Sequence, residues 1–184
     1  SINVTTGEIT GTPVVTGDTS VTITVNGTNA TGAARSDTAT FMVRVSDPSL
    51  YPYKMNLTFS GYSGSSTLSD FPAVVEFHSG LTTDGTQSAN FSYNTFLSPT
   101  AADLRFFGAN GRELPYEIED WNSTGYSRVW VDVGSLSGTN TVVTAAWGNA
   151  QDAIAPDYTF DGSTWNNDFY GAWHFSEVVA NNFV

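Results

Sequence analysis

Residues Asp103–Val133 read DLRFFGANGRELPYEIEDWNSTGYSRVWVDV, and the fold class turns on their pattern. The stretch predicts three strands joined by two turns. Asn110-Gly111 is a dipeptide that supplies the positive φ angles of a tight hairpin, so Leu104–Phe107 is expected to fold back against Glu113–Trp121. Asn122–Gly125 then returns the chain as Ser127–Val133. Leu114, Tyr116 and Ile118 alternate with Glu117, Glu119 and Trp121; Val129, Val131 and Val133 alternate with Arg128, Trp130 and Asp132. Successive side chains of a strand point to opposite faces, so each strand has one apolar and one mixed face.

Register follows, because a slip of one residue would set an apolar face against a polar one. Pairing Trp121 with Tyr126 leaves a four-residue loop and places Ile118 opposite Val129 and Tyr116 opposite Val131 on the buried side. The outward side then pairs Glu119 with Arg128 and Glu117 with Trp130. Trp121, Trp130, Glu117, Glu119 and Arg128 are therefore expected to share one surface. Aromatic faces beside carboxylates have the makeup of a sugar-contact surface, so these five are the candidate carbohydrate contacts. The plainer reading is that a neighbouring sheet or loop covers that face.

The 184 residues suffice for one ordinary domain or two small ones. Apolar residues are 40% of the chain and charged residues only 13%. Ser, Thr, Asn and Gly fill the gap, which favours strands and turns. A net charge of −12 argues against nucleic acid and anionic membrane surfaces, which need a basic patch. Without cysteine there is no disulfide, thiol catalysis or zinc–thiolate chemistry. No run reaches the ~18–20 apolar residues that span a bilayer. Both ends read as cut from a longer polypeptide.

Upstream, Ile2–Thr5, Val21–Val25 and Ala39–Val45 are strand candidates, punctuated by turns at Gly11-Thr12-Pro13, Gly17-Asp18 and Asn26–Gly32. Downstream lie Tyr53–Phe59, Ala73–His78, Phe91–Phe96 and Thr141–Trp147. Many short strands separated by turns indicate an all-β chain: an immunoglobulin-like β unit followed by an antiparallel β-sandwich module.

Two resemblances refine this. Ile2–Pro13, Val21–Val25, Asn29–Gly32 and Ala39–Val43 are similar to the C-terminal half of an immunoglobulin-like domain found in large bacterial surface proteins. Leu68–Phe77, Ala102–Phe106, Leu114–Glu119, Val129–Val131 and Trp147–Ala150 together resemble a bacterial domain of unknown function that precedes concanavalin A-like, laminin-G-like lectin domains. One departure is Ala146-Trp147-Gly148, where relatives carry two tyrosines before the glycine. Tyr170–Glu177 looks like the first strand of such a lectin domain. The expected organisation is a partial immunoglobulin-like unit over 1–46, a linker over 47–52, the sandwich over 53–150, and an acidic loop with the lectin-like strand over 151–184.

Other chemistry is sparse. Glu117 and Glu119 stand ~6.5–7 Å apart on a strand, a spacing hydrolases use, but exposed strands often carry acids this way and nothing marks a second cleft wall. His78 and His174 have no metal-binding spacing. Asp152, Asp157, Asp161 and Asp168 offer oxygen ligands that make calcium the one candidate cofactor, without the pattern of a calcium loop. Of six Asn-X-Ser/Thr sequons, Asn26, Asn29 and Asn122 are the glycosylation candidates because they fall in expected turns.

The leading expectation is a non-enzymatic extracellular or cell-surface module serving adhesion, carbohydrate contact or spacing, with glycans as partners. The alternative is a filament subunit that self-associates by strand complementation, because half a sandwich leaves its core face open.

Overall fold

The computed structural model describes residues 17–59, 61–81, 91–138, 141–165 and 169–173, and these are all-β. The expected strand Ile2–Thr5, Asp168 and His174 lie outside the described residues, and the expected lectin-like strand is described only to Trp173. The chain divides into two compact units, Ser1–Asp47 and Pro48–Val184.

In the first unit, β1 (Gly17–Thr28) and β2 (Ala34–Val45) form an antiparallel ribbon with unbroken register from Gly17 opposite Val45 to Thr28 opposite Ala34. Both strands run longer than their valine-rich centres, because solvated Thr, Ser and Asn pair as readily along the ribbon as apolar residues do. Asn26 accordingly lies within β1, opposite Ser36, and not in a turn. The turn follows at Asn29, whose carboxamide oxygen accepts from the backbone N–H of Thr31 (3.1 Å) and Ala33 (2.9 Å). Register puts Val21, Ile23 and Val25 on one face with Ala39, Phe41 and Val43. The other face carries Thr22 bonded to Thr40 (3.0 Å). On the apolar face Val25 is 66% and Phe41 41% exposed, while Val21 and Ile23 are half-buried.

The second unit holds two antiparallel sheets. One runs β3 (Tyr53–Thr58), β11 (Val142–Trp147), β6 (Arg105–Gly108), β7 (Glu113–Leu114); the other runs β5 (Pro72–Phe77), β9 (Ser127–Asp132), β8 (Tyr116–Asp120). A short pair joins β4 (Leu68–Ser69) to β10 (Ser135–Leu136). Alternation is read out directly in burial. Ala73, Val75 and Phe77 are buried while Val74 and Glu76 face out, and Val129 and Val131 are buried beside them. These side chains meet Met55, Phe106, Val143, Ala145 and Trp147 of the opposite sheet in one core. Phe77 and Phe106 touch across it at 6.3 Å, and Phe106 packs edge-on against Tyr116 at 5.2 Å. Each such fully buried ring contributes roughly 1.5–3 kcal/mol.

The sequence expectation needs four corrections here. The middle strand is two strands: Leu114 pairs with Phe106 in one sheet, and after Pro115 the chain crosses to pair Tyr116 with Val131 in the other. Proline cannot donate to a ladder, which makes it the natural crossing point. The turn at Asn110-Gly111 uses a positive φ only at Gly111 (75°), closing a longer loop through Gly108 N–H to Arg112 O (2.9 Å). Phe91–Phe96 is no strand. Ser92 caps a 3-10 turn at Tyr93–Thr95, and the rings of Phe91 and Phe96 pack into the core against Trp147 instead of alternating.

The fourth correction matters most for function. Tyr116–Val131, Glu117–Trp130 and Ile118–Val129 pair as expected, but a β-bulge at Glu119 sets Asp120, not Glu119, opposite Arg128. One extra residue reverses the facing of everything after it. Trp121 therefore points inward, against Phe96 (5.0 Å), Tyr93 (5.3 Å) and Phe77 (5.9 Å).

Candidate functional site

The outer face of β8–β9 is built from Glu117, Glu119 and Trp130, and the chain after β11 returns to cover part of it. Trp130 donates its indole N–H to Glu119 (2.7 Å). Trp165, from the 3-10 turn Ser163–Trp165, donates its own to Glu117 (2.7 Å). The two indoles lie 5.3 Å apart, and Phe169 stands edge-on to Trp165 at 5.6 Å. Each carboxylate thus fixes one indole, and the two tilted rings with their carboxylates form a single aromatic–acidic layer.

Beside this layer, along the free edge of β8, runs a cleft of about 840 Å³. Glu117, Ile118 and Trp121 form its strand side; Phe160, Trp165 and Phe169 form the facing side. Such a volume lies within the range of small-molecule and oligosaccharide sites. Phe160 is 81% exposed at its rim, and Trp173 is 75% exposed nearby in sequence. Thr100–Ala102 close one end. Ala101 holds φ at +56°, one of two non-glycine residues with a positive φ among those described. That conformation costs about 1 kcal/mol or more and persists only where surrounding contacts enforce it. Ala101 is wholly buried, donates its N–H to Ser98 O (3.1 Å) and accepts from Leu104 N–H (3.0 Å); Asp103, also wholly buried, accepts from the backbone N–H of Leu97 (2.9 Å), Ser98 (3.1 Å) and Gly148 (2.9 Å).

The far wall is anchored by Arg105, a wholly buried guanidinium. It donates to the carbonyls of Ala102 (2.9 Å) and Leu104 (2.6 Å) on one side, and of Asp152 (3.1 Å) and Ile154 (2.8 Å) on the other. Glu113 lies 3.4 Å from its Nε and accepts the Tyr158 hydroxyl. Tyr51 donates to the Asp152 carboxylate (2.6 Å), as does the Asn149 amide (3.0 Å). Burial pushes the phenols of Tyr51, Tyr116 and Tyr158 well above the usual tyrosine range, reinforced at Tyr51 by Asp152 and at Tyr158 by Glu113. These phenols therefore stay protonated donors at ordinary pH.

Of the five expected contact residues, Glu117 and Trp121 line the cleft, and Trp130 and Glu119 back its aromatic layer. Arg128 is not among them. It faces the next strand, 3.5 Å from Glu76, with both side chains about half exposed. Trp165, Phe160 and Phe169 were missed. The available signal was the aromatic density of 158–170, which sits inside what reads as an acidic loop. Of the candidate calcium ligands, Asp152 is held by Tyr51 and Asn149, and Asp161 accepts from Ser163 N–H (2.9 Å). Among the described residues no three His, Cys, Asp or Glu side chains gather in a way that could hold a metal. Asn122 is exposed in its turn, and its carboxamide oxygen accepts from Thr124 of its own sequon (3.0 Å to the N–H, 2.9 Å to the hydroxyl). No described helix is long and apolar enough to cross a membrane.

Residues 100–173 match a family described as "Domain of unknown function (DUF2341)". The match covers less than half of the chain. It begins later than the resemblance read over 53–150 and extends past it, taking in the segment read as the acidic loop. Every residue lining the cleft falls within it. No curated protein matches the chain, and no solved structure does.

Proposed function

We propose that the unit from Pro48 onward is a non-enzymatic carbohydrate-contact module of a large extracellular or cell-surface protein, and that its binding site is the cleft beside β8. The observation that carries this reading is the aromatic lining formed by Trp121, Phe160, Trp165 and Phe169 with the carboxylate of Glu117. Flat rings supply stacking area for the apolar face of a pyranose, and the carboxylate accepts from its hydroxyls. In this reading the module stands between the partial immunoglobulin-like unit and the lectin-like segment that the sequence resemblances imply. Glu117 and Glu119 serve as acceptors for indole N–H groups, a positioning role with no need of hydrolysis. The test is a glycan array followed by pull-down of the polysaccharides it identifies. Trp165→Ala is expected to abolish retention with the fold intact by circular dichroism, and absence of binding to every glycan would sink the reading.

A second reading is favoured by the ribbon of the first unit. Its apolar face, with Val25 and Phe41 open, has the form of a template awaiting further strands. Completion by another copy would propagate into a filament, since heterologous contacts that do not close continue. Electron microscopy of the concentrated protein decides this: polymers are expected on the filament reading, and a monodisperse monomer removes it.

A further inference from the structure

The Asn-X-Ser/Thr sequons are alike as motifs, but the fold sets them in different circumstances. Asn3 and Asn90 lie outside the described residues. Asn26 sits within β1, opposite Ser36, and Asn56 within β3, opposite Thr144. A strand holds a residue and the one two places on ~6.5–7 Å apart, which keeps the sequon's hydroxyl from its own asparagine. The Asn56 carboxamide oxygen accepts instead from Thr144, on the neighbouring strand (3.0 Å). In the two hairpin turns the sequon closes on itself. The Asn122 Oδ1 accepts from both the N–H (3.0 Å) and the hydroxyl (2.9 Å) of Thr124, and Asn29 does the same with Thr31 (3.1 and 2.8 Å). When Nδ2 of an asparagine gives up a proton, negative charge appears on Oδ1. Two donors already aimed at that oxygen stabilise it, as preorganised donors do for any developing oxyanion.

Three observations then separate Asn122 from Asn29. Asn122 is exposed with the rest of its sequon, whereas Asn29 is half-buried. The Asn122 Nδ2 rests over Gly125, where a Cβ would stand only 2.7 Å from it, so glycine leaves the nitrogen its place. Asp120, exposed at the end of β8, stands two residues ahead of Asn122, and no other sequon in the chain has an acid at that position. A carboxylate so placed is a charged handle for a transferase whose peptide groove carries a cation. The base of the turn is fixed: Asn122 N–H donates to Ser127 Oγ (2.8 Å), and Trp121 packs inward against Tyr93. The sequon is thus presented from a rigid base.

We propose that Asn122 is a site of N-linked glycosylation, accepting an oligosaccharide in the folded chain from a lipid-pyrophosphate donor, with Asn29 a lesser acceptor and Asn26 and Asn56 none. In the transfer a bond forms between Asn122 Nδ2 and the anomeric carbon of the donor's first sugar. The bond from that carbon to the pyrophosphate oxygen breaks, and the lipid pyrophosphate leaves with the electron pair. The Nδ2 proton passes to a base of the transferase, and nothing is oxidised or reduced. The assignment is independent of what the cleft beside β8 binds.

The test is to incubate the folded full chain with a bacterial oligosaccharyltransferase and its lipid-pyrophosphate-linked oligosaccharide, beside a reference acceptor peptide that proves the enzyme active. Glycopeptide mass spectrometry then reads the occupancy of each sequon over time. Transfer is expected first at Asn122, later at Asn29, and not at Asn26 or Asn56. Gly125→Ala leaves the sequon intact and asks for no positive φ, because Gly125 has none. Its Cβ displaces the Asn122 carboxamide from the Thr124 donors, so occupancy at Asn122 should fall while Asn29, the internal control, is unchanged. Asp120→Asn, at an exposed position, should slow Asn122 toward the rate of Asn29 without touching the turn. Equal occupancy of the four sequons, or transfer to Asn26 or Asn56 ahead of Asn122, overturns the proposal. Absence of transfer to the chain while the reference peptide is modified also overturns it. So does full occupancy at Asn122 in both variants, since the motif alone would then be the cause.

Discussion

The molecule contains two antiparallel hairpins whose sequences alternate equally well, and they end in opposite circumstances. In β1–β2, twelve residues pair with twelve without interruption, and among the described residues no further strand joins the ribbon, whose Val25 and Phe41 are exposed. In β8–β9 the pairing is shorter and broken by a bulge, yet Tyr116, Val129 and Val131 are wholly buried. Regular pairing therefore does not bury a face; a second layer does. A two-stranded ribbon has only marginal stability in water by itself. The second sheet turns the same alternation into a core, and the bulge adds Trp121 to that core.

The contrast can be tested by removing what only the sandwich has. Arg105→Met should have the largest effect. It deletes a buried guanidinium, leaves Glu113 without its cation and removes a donor from each of four carbonyls, at a cost of about 3–5 kcal/mol. Urea denaturation should show the lower midpoint, and limited proteolysis should cut within 150–158 first. A loss under about 1 kcal/mol would mean that this segment is held by something else.

Next come the two tryptophans that the alternation places together. Trp121→Ala should cost about 3 kcal/mol, as a ring removed from a core, and Trp130→Ala about 1–2 kcal/mol, as loss of a hydrogen-bonded surface ring tilted against Trp165. Equal losses would break the distinction between inward and outward faces. Deleting Glu119 sharpens it further. Without the extra residue the ladder becomes regular, Asp120 still faces Arg128, and Trp121 still points inward. Stability should change by no more than about 1 kcal/mol, and NMR contacts between the Trp121 indole and Phe96 should persist. Their disappearance would show that Glu119 is not the extra residue of the bulge.

The smallest effect belongs to the ribbon. Phe41→Ser should shift unfolding by less than about 0.5 kcal/mol in the monomer, because the ring is already in contact with water. A loss of about 2 kcal/mol or more would mean that a further layer covers this face.

Much of the sandwich was legible in the sequence. The three pairs Tyr116–Val131, Glu117–Trp130 and Ile118–Val129 follow from alternation, because one face must be apolar. The bulge left no such trace: Glu119 and Asp120 are both acids, and nothing in their order says which is the extra residue. Pro115 did mark the strand's crossing, but a proline is equally at home on an edge. Half of the candidate site was legible, since Glu117 and Trp121 line the cleft. The other half was not, because Trp165, Phe160 and Phe169 approach from a segment without periodicity, some 40 or more residues further along the chain.

The sequence by itself determined the all-β class, the strand centres and the inward residues of β5, β8 and β9, all of which depend on the two-residue period of a strand. Only the tertiary structure decided that Trp121 belongs to the core, that Arg105 ties the returning segment to the sandwich, and that Trp165 meets Glu117 beside a cleft. The reason is physical. Alternation is a local property carried by neighbouring residues, whereas a bulge, a buried charge and a cleft wall each depend on which distant surfaces the folded chain brings into contact.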